Sequence, residues 1–117
     1  MQLLTADQIL GADDMAFEDV DVPQWGGTIR VRRLTATERR AFELSTSRDD
    51  PDLLAVFVGF CACDAEFKPL FTHEQVKKLA EKDGAAVKQV CKVCERLNKI
   101  GEDAEKNSPS PEAGSAS

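Results

Sequence analysis

Two cysteine pairs, Cys61-x-Cys63 and Cys91-x-x-Cys94, are the residues of this 117-residue chain whose spacing best suits chemistry. Four thiolates at such spacings can hold zinc tetrahedrally. Zinc pairs of that kind belong on turns rich in glycine and polar residues. Here one pair closes the apolar run Leu53 to Cys63, and the other lies on the apolar stripe of a helical pattern. A free cysteine in such a setting packs as a small hydrophobe, and core packing is the favoured reading. A small zinc-binding regulatory module on Cys61, Cys63, Cys91 and Cys94 is the alternative. A thiol–disulfide role for Cys91-Lys-Val-Cys94 ranks below both, because redox motifs of that form open a helix after a strand.

The other chemical candidates are weaker. His73 is the only histidine and falls in the first turn of a helical pattern beside Glu74, where a catalytic histidine would need a nucleophile or a metal in reach. Gly26-Gly27 does not lead into a helix with a phosphate-binding lysine, and no Gly-x-Ser-x-Gly elbow occurs. Carboxylates are plentiful, but none is paired on an apolar stretch where burial would tune it. The expectation is a protein that is not an enzyme, with no catalytic residue, no cofactor and no metal. Trp25 differs in kind. Tryptophan and arginine dominate protein–protein hot spots, so Trp25, with Arg30 and Arg32, forms the candidate protein-binding set; the competing reading folds Trp25 onto the protein's own helices.

Charge and hydropathy narrow the partners. The net charge is -6 and the pI about 4.8, which opposes phosphate-driven nucleic-acid binding even though Arg30, Arg32, Arg33, Arg39 and Arg40 cluster. The run Leu53 to Cys63 is about half of the roughly 20 residues a membrane helix needs. The N-terminus lacks the basic and apolar regions of a secretion signal. A cytoplasmic protein with reduced cysteines is therefore expected.

The elements that would position these residues read as α+β, mostly α: a small helical domain with one N-terminal β-hairpin and a disordered C-terminal tail. Leu3 to Leu10 has the pattern of a short amphipathic helix with Thr5 or Asp7 as cap and Gly11 as stop. Val20 and Val22, then Ile29 and Val31, alternate with charged residues as hairpin strands do, over about 18–34. Gly26-Gly27 supplies positive φ at the reversal, with Trp25 at the tip and the arginines facing water opposite Asp19 and Asp21. Helices are expected over about 36–47, 51–62, 73–82 and 84–100. Their signals are capping boxes at Thr35-Ala-Thr-Glu38 and Thr72-His-Glu-Gln75, a cap at Asp50-Pro51, a staple of Phe71 on Val76, and a stop at Gly101. Asp64 to Pro69 reads as a polar connector, with room for a tiny hairpin ending at Leu70-Phe71. The folded domain is placed at 1–101. Residues 102–117, "EDAEKNSPSPEAGSAS", hold no apolar side chain larger than alanine and are expected to form a flexible tail.

Taken in order, "VDVPQWGGTIRVRRLTATERRAFE", the apolar run, "DAEFKPLFTHEQVKKLAEKDGAAVKQVCKVCERLNKIGEDAEKN" and the closing Ser/Pro/Gly/Ala-rich stretch resemble the phage tail assembly chaperone family. The matching positions include Val22, Pro23, Trp25, Gly26, Gly27, Val31, Arg32, Leu34, Thr35, Glu38, Arg39, Phe42, Pro69, Leu70, Phe71, Thr72, Glu81, Lys82, Lys106 and Asn107, over almost the whole chain. One departure is Phe67, where the family pattern often has the glycine of a tight turn. The resemblance implies a non-enzymatic protein of the infected host's bacterial cytoplasm, absent from the mature virion. It would bind the long helical tape measure protein, keep it soluble, help recruit tail-tube subunits and self-associate along it; a ribosomal frameshift would add any extension after Asn107. A structural tail-completion component of the virion is the alternative that the same resemblance leaves open.

Overall fold

The computed structural model describes residues 2–100. The alternation at Val20, Val22, Ile29 and Val31 builds the hairpin. Strand β1 (Phe17–Val22) pairs antiparallel with β2 (Gly27–Arg32), with Val20 opposite Ile29 and Phe17 opposite Arg32. The valines and Ile29 fill the inner face. Pro23–Trp25 form one 3-10 turn, closed by the Gly26 N–H donating to the Pro23 carbonyl at 3.1 Å. Gly26 alone takes the left-handed conformation, at φ 75°; Gly27 already belongs to β2. The expected Gly-Gly reversal is thus a proline-started turn that spends one glycine.

The tiny hairpin for which the sequence left room before Leu70-Phe71 forms, and its first arm joins the sheet as a third strand that no local pattern announced. Helix α3 (Leu53–Cys61) runs straight into β3 (Ala62–Cys63), which pairs with β2 so that the sheet order is β1-β2-β3. The chain then turns back on itself. Leu70 N–H donates to the Ala62 carbonyl at 3.1 Å, Asp64 N–H donates to the Lys68 carbonyl at 2.9 Å, and Cys63 bridges Pro69. The Asp64 carboxylate gathers the Glu66 and Lys68 N–H groups at 2.8 and 3.1 Å. Phe67 sits at φ 65°, so the tight turn forms without the glycine whose lack argued against it. Left-handed backbone costs a bulky residue about 1–2 kcal/mol. Its ring offsets part of that by packing edge-on against Phe17, centroids 5.1 Å apart.

Capping boxes start three helices: α1 (Ala6–Gly11) from Thr5 and Gln8, α2 (Ala36–Ser45) from Thr35 and Glu38, and α4 (His73–Leu79) from Thr72 and Gln75. Helix α1 begins three residues later than its apolar pattern, because Thr5 is the cap, and it buries no residue. Helix α2 stops at Ser45 and α4 at Leu79, short of the 47 and 82 read from the sequence. Asp50 does not cap α3. Its carboxylate accepts from the Asp52 N–H at 2.8 Å and from the Thr46 hydroxyl at 2.7 Å, which makes Asp50–Asp52 a turn and delays the helix to Leu53. Helix α5 (Gly84–Asn98) ends with Lys99 in the left-handed cap at φ 59°. Gly101 and the expected tail at 102–117 lie outside the described residues.

The inner sheet face packs on α5 and α3, and α3 also carries α4 and α2. Val22, Val31, Val58 and Val90 are fully buried between these layers, each worth about 1.5–3 kcal/mol of apolar burial. No helix among the described residues is long and apolar enough to cross a membrane. At the α3–α4 crossing, a Cβ on Gly59 would stand 2.6 Å from Val76 Cγ2 and 3.4 Å from its Cγ1. Valine is stiff about χ1 and cannot swing aside. Gly59→Ala should therefore lower stability by about 1–3 kcal/mol despite its better helix propensity. Urea unfolding should show a lower midpoint at unchanged slope; an unchanged or higher midpoint would mean that α4 is not seated against α3.

Candidate protein-binding surfaces

Trp25 leaves the 3-10 turn half-buried against the core, so it is not a free tip. Its ring forms one wall of an open groove of about 700 Å3 between the hairpin turn and α4. Ile29, Leu70, Phe71 and Leu79 supply the rest of the apolar lining, and Lys78 and Lys82 stand on the rim. The Trp25 Nε1–H is buried with no hydrogen-bond partner among the described residues. Trp25 folds back on its own domain, and its exposed side borders a concave surface. Nothing in the sequence assigns Leu70, Lys78 and Lys82 to a shared surface with Trp25. They lie 45 or more positions from Trp25 in the chain, and only the tertiary fold joins them to it.

Arg30 and Arg32 have different fates. Arg30 projects from the outer sheet face opposite Asp19, as alternation requires, and grips its carboxylate through Nε at 2.7 Å and Nη2 at 3.0 Å. That bond holds the Asp19 carboxyl below the usual carboxylate range. The same guanidinium lies 4.4 Å from the Phe17 ring centroid and 5.3 Å from that of Phe67. Phe17 is 48% exposed and Phe67 43%, so this face offers an aromatic–arginine patch of hot-spot composition. Asp21 receives Thr28, at 3.4 Å, rather than an arginine.

Arg32 does not face water opposite an aspartate. It turns to the start of α2, where Nη1 and Nη2 meet the two carboxylate oxygens of Glu38 at 2.9 and 2.8 Å and Nη1 also reaches the Arg33 carbonyl. Glu38 is the capping-box residue and also accepts the Thr35 N–H at 2.9 Å. A fork-to-fork pair that shares a helix cap joins the hairpin to α2 and leaves Arg32 little freedom for a partner.

The four cysteines are free and buried. Cys61, Cys91 and Cys94 belong to the core between α3 and α5, while Cys63, opposite Arg30, points from the other sheet face. Burial, then Glu95, pushes the Cys91 thiol up to about 12; the Cys61 hydrogen bond, then burial, raises Cys94; burial raises Cys63. Thiols so raised stay protonated, the opposite of what a ligand or nucleophile needs. Among the described residues no group of three or more His, Cys, Asp or Glu is placed to hold a metal ion. His73 is the exposed first residue of α4.

The Glu38 carboxyl is held down to about 2, first by Arg32 and then, against burial, by Thr35. Its folded pKa lies below the unfolded value, so its contribution is complete above about 4.5 and disappears as pH falls toward 2. With a third of the Glu38 side chain exposed, solvent screening limits this to about 1–2 kcal/mol. Glu38→Gln should flatten that part of the stability profile between pH 4.5 and 2, measured by urea unfolding at stepped pH; an unaltered profile would show that the pair does not form.

No family profile and no curated protein sequence matches the chain. Among solved structures, it is similar to the tail assembly chaperone of bacteriophage HK97, at a TM-score of 0.58 and 18% identity, over 78% of this chain and 90% of that one. A likeness at this identity establishes a shared fold, and it is the fold of the family that the sequence blocks resemble.

Proposed function

We propose that the protein is a tail assembly chaperone that binds a tape measure protein, keeps it soluble and helps recruit tail-tube subunits, without bond-making chemistry of its own. The fold shared with the HK97 protein carries this reading. The match of "VPQWGG" and "LTATERRAFE" to the family pattern supports it independently. The work would be done in the host cytoplasm before the virion is complete, and a frameshifted form would extend the chain after Asn107.

A long helical client presents apolar stripes at regular spacing. Many copies, each making a modest contact, can coat it without a deep pocket. We assign that contact to the outer sheet face, where Phe17, Phe67 and Arg30 combine exposed aromatic area with a guanidinium already oriented by Asp19. Arg32 contributes indirectly, by holding α2 to the hairpin.

The test is co-expression with a tape measure protein from the same phage genome, followed by affinity capture. The wild-type chain should bring that protein into the soluble fraction. The double variant Phe17→Ala, Phe67→Gly keeps the left-handed turn yet should reduce capture about tenfold or more, as loss of an aromatic hot spot does, with unchanged circular dichroism. Tape measure protein that stays insoluble, or a chain found in purified virions, would contradict the proposal; equal capture by the folded double variant would move the contact to another face.

A further inference from the structure

Beside the aromatic–arginine patch lies a notch of about 440 Å3, lined by Met15, Phe17 and Phe67 together with Arg32 and Glu38. The charges of that last pair meet fork to fork at 2.9 and 2.8 Å and cancel, so the notch suits an apolar side chain rather than an ion. Its size falls within the range of ligand pockets, about 300–1,000 Å3. Met15 is 44% exposed, like the two rings, so apolar area beside the notch is unused. The two segments that build it are acidic. Asp13 and Asp14 lead into Met15, and Asp64 and Glu66 lead into Phe67. All four are exposed, and none enters an ion pair among the described residues. The nearby cations do not balance them. Arg30 is taken by Asp19, Arg33 spends its donors on the Leu97 and Asp14 carbonyls, and Lys68 offsets one carboxylate of its own turn.

We propose that this notch selects its client by charge: it takes a basic amphipathic helix, with a large apolar side chain against Met15, Phe17 and Phe67 and lysines or arginines of the flanking turns toward Asp13, Asp14 and Glu66. The inference rests on the chaperone reading for the helical form of the client, and it adds which helices the surface accepts. Charge complementarity selects this occupant. An acidic helix would bring like charges together across the rim, and a nucleic acid or an anionic membrane would meet the same repulsion. An amphipathic helix sets its apolar side chains along one stripe with charged ones beside it, so one turn can fill the notch while the next reaches the rim. The apolar contact is common to many helices; the carboxylates supply the discrimination.

The probes are two dye-labelled synthetic helices of about 18 residues, roughly five turns, with the same leucine stripe flanked by lysine in one and by glutamate in the other. Fluorescence anisotropy against the full chain at about 0.01 M ionic strength should show the lysine helix bound about tenfold or more tighter. The gap should close at about 1 M, where the Debye length falls to about 3 Å. The variant Asp14→Lys, Glu66→Lys, checked for folding by circular dichroism, should lose the preference, whereas Phe17→Ala, Phe67→Gly should weaken both helices. If the charge variant misfolds, the salt response of the wild-type chain decides. Equal binding of the two helices, a preference that salt or the folded charge variant leaves intact, or no binding of either at about millimolar concentration would overturn the inference. Capture of the tape measure protein is read separately: capture with equal helix binding keeps the chaperone role and removes the charge selection, and a charge preference without capture does the reverse.

Discussion

The carboxamide of Asn98 is the one buried polar side chain among the described residues, and three elements meet on it. Its Oδ1 accepts the Leu34 N–H at 2.8 Å, and its Nδ2 donates to the Cys94 carbonyl at 2.9 Å and toward Cys61 Sγ at 3.6 Å. Two guanidiniums close the same helix end from outside. Arg33 donates to the Leu97 carbonyl and Arg39 to that of Asn98, both at 2.9 Å. The free carbonyls and the negative end of the α5 dipole are thus met by two cations drawn from the β2–α2 segment. If Asn98 is lost, the buried Leu34 N–H has no partner, a penalty of about 1–3 kcal/mol.

Both candidate surfaces depend on this clasp. It fixes the hairpin against α5, and the hairpin carries Trp25 at one end and Phe17 with Arg30 toward the other. Arg33 works on both sides, tying α5 through one nitrogen and the residues before β1 through another. Arg32 and Glu38 then lock α2 to the end of β2. Such rigidity leaves little ordering entropy to oppose a contact made on either surface.

Much of this was legible in the residues. The capping boxes at Thr35 and Thr72 are local hydrogen-bond patterns, and they started helices where written. The alternation from Val20 to Val31 gave the hairpin, and the apolar run from Leu53 resolved as a buried helix because α4, α5 and the sheet surround it. What failed was long-range. Strand β3 is two residues long, too short for any period, and exists only because β2 offers an edge. The Phe67 turn forms against local preference because Asp64 and Phe17 hold it. Arg32 looked like a strand residue facing water, but its partner lies past the strand on the next helix. The groove is assembled from residues near positions 25, 70 and 80, and no local pattern connects them.

The clasp is tested most directly by hydrogen exchange at the Leu34 amide, by NMR, in the wild-type chain and in Asn98→Leu. If Asn98 anchors the fold, the Leu34 N–H exchanges only through global unfolding in the wild type, as slowly as the Val31 and Val90 amides, and loses that protection in the variant. A Leu34 amide that exchanges as fast as those of α1 in the wild-type chain would contradict it.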